Sequence, residues 1–153
     1  MTRAAADATR GTEAGRATYA RRHLRYGWSA LVVSLGFGVT LEALLGFKAV
    51  PYLLDPLRED LWRLAHFHGS MLALVNLVYA SWADRDMLGP ATRRMASRAL
   101  LAGSVLLPLG FFLGGVAHFE GDPGVGIFLA PPGAILVLIA AVIQARAAWR
   151  GRD

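Results

Sequence analysis

Cysteine is absent from the 153 residues, which excludes disulfides, thiolate-held clusters and thiol chemistry. Lysine is nearly absent as well: fifteen arginines stand against Lys48 alone. No phosphate-cradling glycine loop, nucleophile elbow or dinucleotide fingerprint occurs in a credible context; Gly124-Val125-Gly126 falls in a turn with no strand before it. Above all, charge is nearly missing from four long stretches, residues 26–47, 64–83, 99–119 and 125–145, in which Glu42 is the one formally charged residue. Each is long enough for a helix to cross about 30 Å of hydrocarbon.

What is present fits that absence. The chain is 55% hydrophobic and 18% charged, so four spans leave little material for a soluble domain. The expected fold is an all-α integral membrane protein, an antiparallel four-helix transmembrane bundle. Residues 1–18 carry no apolar periodicity and read as a disordered cytoplasmic tail; residues 19–153 form the membrane domain. No cleavable signal peptide is evident, so the first run is read as an uncleaved span. The net charge of +5 does not point to nucleic acid, because the basic residues flank the runs as topology signals do. The lipid bilayer is the first expected partner, and a membrane-protein partner or a second copy of the chain the next.

Thirteen arginines lie in the N-terminal segment, the second connection and the C-terminus; only Lys48, Arg58 and Arg63 lie on the other side. That split places both termini in the cytoplasm of a cell whose inner, plasma membrane holds the chain. The first outer connection, residues 48–63, is broken by Pro51 and Pro56. Its Asp55-Pro56-Leu57-Arg58-Glu59 has the form of a helix start, and a short interfacial helix is expected there. Pro108 should kink the third run, and Pro131 and Pro132 should delay the regular helix of the fourth.

The ionisable residues inside the runs are few: Glu42, His66, His68 and His118. Each is costly in a bilayer and is therefore a candidate site residue. His66 and His68 point about 200° apart on a helix. His66 shares a face with Gly69, Ser70, Ala73, Leu77 and Ala80, with Asn76 at the edge, and should turn inward. His68 shares a bulkier face with Met71, Leu72, Val75, Tyr79 and Trp82 and should meet lipid or another subunit. Gly103, Leu107, Gly110, Gly114 and Ala117 form a stripe, with His118 at its edge, suited to close helix contact or to a flat cofactor. Glu42 needs a partner at its depth, and Arg63, His66 and His118 are the nearest. His23 lies in the basic, aromatic flank before the first run and reads as a surface residue.

These residues predict an outer-face constellation of Glu42, Arg63, His66, His68, His118 and Glu120. A haem would be held by His66 and His118, with His68 as a further candidate. A transition metal would be held by His66, His118 and Glu42, with Arg63 and Glu120 in support. Redox-linked chemistry near the outer face follows as one functional reading. A non-catalytic subunit or assembly factor of a larger membrane complex is the second, and a small transporter the third. Whether the chain is an enzyme stays open at this stage.

The stretch Ala65-His66-Phe67-His68-Gly69, preceded by a span carrying Glu42, resembles a group of uncharacterised bacterial multi-span membrane proteins. Those carry an H-x-H motif at the start of one span and a Glu near the end of the span before. The histidine-bearing spans are also loosely similar to those of respiratory haem and copper proteins. The resemblance covers the first two spans and implies a site at Glu42, His66 and His68, without implying a reaction.

Overall fold

A computed structural model describes residues 3–82, 88–119 and 121–150. The described residues are helical almost throughout. Helix α1 runs Arg3–Gly46, the one-turn α2 Val50–Leu53, α3 Pro56–Trp82, α4 Pro90–Val116 and α5 Ala130–Arg150, with a 3-10 turn over Val125–Leu129 before α5. Three segments are long and apolar enough to cross a membrane: Ala17–Gly46, Pro90–Val116 and Val125–Arg150. Helix α3, expected as the second span, falls short of that measure. Its first turns carry Arg58, Glu59, Asp60 and Arg63, and its apolar stretch is diluted by His66, His68 and Asn76.

The helix boundaries follow local chemistry. Asp55 caps α3: its Oδ1 accepts the backbone N–H of Arg58 at 3.0 Å, with Pro56 at the first helical position where a missing N–H costs nothing. From there α3 is continuous, so the interfacial helix expected to lead into the second run is the opening of α3 itself. The residues α2 takes up, Val50–Leu53, lie just before it. Pro131 and Pro132 sit in the first turn of α5, after the 3-10 turn, as their fixed φ demands. Helix α4 runs unbroken through Pro108. Helix α1 takes in residues 3–18, which polarity had assigned to a tail; alanine and arginine there are strong helix formers.

Successive long helices run in opposite directions. His66 bonds to the Ser34 carbonyl while Leu77 lies against Gly27, which sets α1 against α3. Trp62 bonds to the Phe112 carbonyl while Asn76 bonds to Ser104, which sets α3 against α4. Gly110 meets Ala130 while Gly103 meets Gly133 and Val137, which sets α4 against α5. In this last pair a Cβ added at Gly103 would stand 2.7 Å from the Gly133 carbonyl oxygen, and one at Gly133 would stand 2.5 Å from the Leu107 nitrogen. The glycine stripe is therefore filled by the backbone of its neighbour. Close backbone approach is how apolar helices gain contact when lipid is as apolar as they are.

The order of packing is sequential. Helix α1 packs on α3, α3 on α4 and α4 on α5; α1 barely reaches α4, and among the described residues α5 makes no close backbone approach to α1 or α3. The long helices thus form an open row rather than a closed ring of four. Two small cores mark its seams, one of Tyr79, Ala99, Leu100 and Ala140, the other of Leu72, Leu107 and Ala130.

Candidate functional site

The most completely buried polar groups lie at the end of the row where α1 meets the last turns of α3. His23 is fully buried, as are Asn76 and Ser97. His23 Nδ1 lies 2.7 Å from Asn76 Oδ1 and its Nε2 2.8 Å from Ser97 Oγ. Asn76 Nδ2 donates to the Leu72 carbonyl at 2.7 Å and to Ser104 Oγ at 2.9 Å. A carbonyl only accepts, so the amide nitrogen of Asn76 must face Leu72 and its oxygen must face His23. His23 then carries its proton on Nδ1, and Nε2 accepts from the Ser97 hydroxyl. Each polar atom of His23 and Asn76 is satisfied by a neutral arrangement. The Tyr79 ring covers the imidazole, with centroids 4.3 Å apart.

This corrects the reading of His23 as a surface residue. Its burial was hidden because the apolar run begins only at Tyr26, whereas α1 packs on α3 well before that point. The available signal was its spacing to Gly27 and Ala30, which lie on one helical face with it. Asn76, read as an edge residue, is the hub.

Of the residues expected to converge at the other end, Glu42, Arg63 and His66 line one groove, while His68 and His118 turn elsewhere. His66 is half-buried against α1, where its Nδ1 lies 2.9 Å from the Ser34 carbonyl and its ring occupies the space left open by Gly38. His68 turns the other way: its Nδ1 bonds to the Leu64 carbonyl at 2.8 Å, and its ring stacks on Phe111 of α4 at 5.0 Å. The two histidines do lie on opposite faces of α3. The face expected to meet lipid instead packs in part on α4: Leu72 and Tyr79 are buried while Met71, Val75 and Trp82 stay exposed.

His118 leaves the end of α4 and donates from Nε2 to Asp55 Oδ2 at 2.8 Å. Arg58 joins this cap. It lies 3.3 Å from the same carboxylate, donates from Nε to the Gly115 carbonyl at 2.9 Å, and stands 5.7 Å over the Trp62 ring. The arginine thereby satisfies a carbonyl that the last turn of α4 leaves without a helical partner. Burial pushes the Asp55 carboxyl up, but the Arg58 N–H, the His118 ring and the Arg58 charge together outweigh it and hold the group below its ordinary range.

Glu42 is exposed and makes no hydrogen bond or ion pair among the described residues. Arg63 pairs with Glu59 at 3.4 Å, not with Glu42. The structure does bring Glu42, Glu59, Arg63 and His66 to one groove of about 270 Å³, with Gly38, Leu41, Leu45 and Tyr52 in its walls. Burial raises the Tyr52 phenol above its ordinary pKa, and the negative charge of Glu59 adds to the shift. Glu120 lies outside the described residues. Among those described, no three of His, Asp and Glu are grouped so that they could hold a metal ion.

A second groove, of about 370 Å³, opens between α3 and α5 over Leu100 of α4. Val75, Val78, Trp82, Val137 and Ala141 make it almost wholly apolar. The Gln144 side-chain oxygen on its wall is buried and has no hydrogen-bond partner among the described residues. Compared with known protein families, curated proteins and solved structures, the chain matches none.

Proposed function

We propose that the chain is a non-catalytic, membrane-embedded subunit whose open row of helices docks a partner helix. In this reading all four long helices cross the inner membrane and both termini are cytoplasmic. The observation that carries it is the uncovered groove between α3 and α5, with the orphaned Gln144 oxygen in its wall. A buried carbonyl without a donor is rare in a finished interior. In lipid no water supplies the donor, and a polar side chain on a neighbouring helix can. The long exposed apolar faces of α1 and α5 fit the same reading. A haem or metal held by His66 and His118 draws less support, because Nε2 of His118 is engaged by Asp55 and His66 is turned toward α1.

Gentle solubilisation followed by co-purification and mass measurement tests the subunit reading. The expected result is a complex, with a partner chain or a second copy, that is lost on Ala141→Leu or Gln144→Leu. A stable lone monomer at native expression levels would count against it. Single cysteines introduced at 48–63 should label only from outside the cell; labelling from the cytoplasm alone would overturn the topology.

A further inference from the structure

The groove between α1 and α3 has a chemistry that helix packing does not require. Tyr52 in its wall stacks on Trp62, with centroids 6.1 Å apart. Such an aromatic pair marks the level where hydrocarbon gives way to head groups. Leu41 and Leu45 form the apolar side, and Leu35 and Val39 continue it along the exposed face of α1. The polar side holds two carboxylates against one guanidinium: Glu42 and Glu59 against Arg63.

The groups in it that remain open are mostly acceptors. His66 must donate from Nδ1, since its partner there is the Ser34 carbonyl. In the uncharged ring Nε2 is then an acceptor. Gly38 seats the ring in this orientation, because a Cβ there would overlap it. Glu42, one turn further along α1, adds a carboxylate with no partner among the described residues. Arg63 keeps only a long contact to Glu59, and its side chain is 67% exposed.

We propose that this groove binds the head group of a zwitterionic phospholipid that carries a primary ammonium, of the ethanolamine type. The ammonium supplies N–H donors to Glu42 and His66 Nε2. The phosphate meets Arg63, and the acyl chains follow the exposed Val39 and Leu35 along α1 into the bilayer. A choline head has the same charge and phosphate but no N–H to donate, so the groove distinguishes the two lipids. The inference rests on the membrane reading but not on a protein partner, so a chain that co-purifies alone leaves it testable.

Native mass spectrometry of the full chain in detergent, with dioleoyl-phosphatidylethanolamine and dioleoyl-phosphatidylcholine in competition, tests it. The wild type should retain the ethanolamine lipid roughly tenfold better, the scale of one charge-assisted hydrogen bond. Glu42→Gln should erase that preference, and Arg63→Gln should weaken both lipids alike. Both side chains are exposed, and an unchanged melting temperature checks that each variant is folded. Equal retention of the two lipids by the wild type, or a preference that survives Glu42→Gln, overturns the proposal. Soluble phosphoethanolamine should not compete at matched concentration. If it displaces the lipid, the site serves a soluble ammonium compound and the lipid assignment falls.

Discussion

The two ends of the α1–α3–α4 core treat polar groups in opposite ways. At one end His23, Asn76, Ser97 and Ser104 are buried and closed on one another. At the other, His66 and Glu42 line one groove while His68 and His118 turn to separate surroundings, and of these three histidines only His118 bonds to an acidic side chain. The closed end is a device for holding helices in register. The more dispersed end leaves Glu42 and Arg63 exposed, as the proposed head-group site requires. Residue type therefore does not separate closed from open histidines here; completeness of hydrogen bonding does, and by that measure His118, bonded to Asp55 and the Phe119 carbonyl, stands with His23.

The comparison breaks most visibly at Asn76. Asn76→Ala removes the bonds to His23, Ser104 and the Leu72 carbonyl and leaves buried groups unpaired. It should cost about 2–3 kcal/mol, read as reversible unfolding in mixed detergent. A loss as small as that of an exposed substitution would mean that the knot does not hold the helices. His118→Ala, at the outer cap, should cost less, about 1 kcal/mol, because the Asp55 carboxylate it deserts keeps Arg58.

Acid should act on the outer end through Asp55. The Asp55 carboxyl titrates lower in the folded chain than in the unfolded one. The stability it adds is therefore complete above its ordinary pKa and lost as pH falls through the folded value. Thermal melts in detergent should show this loss below about pH 4. Asp55→Asn should flatten that decline, whereas a decline of the same size in the variant would assign it to other carboxyls. Glu42→Gln should cost least, within about 0.5 kcal/mol. It should add simply to His118→Ala, since the two side chains have separate surroundings; a coupling above that level would restore the expected shared site. Finally, the purified protein should show no Soret band and no stoichiometric metal. A haem spectrum abolished by His66→Ala would return the outer histidines to cofactor chemistry.

Much of this was legible from residues alone. Long uncharged runs specify apolar helices, because backbone polar groups in an apolar setting must be bonded within the segment. The 3.6-residue period put His66 and His68 on opposite faces of α3 and placed Gly103, Gly110 and Gly114 against a neighbouring helix, where they are found. Asp55 and Pro56 announced the start of α3 through capping chemistry that is local in the chain. What only the tertiary structure decided is which residues meet across helices. A shared depth in four spans does not say which faces turn together, so His118 looked like part of the site that Glu42 and His66 line, when it turns instead to Asp55. Burial of His23 likewise depends on how far α3 and α4 extend beside α1, a contact between residues 53 and 74 positions apart. Hydrophobic patterning records that a helix has an inner face, while the partner on that face is chosen by side-chain shape and by hydrogen bonds that close only when the helices have packed.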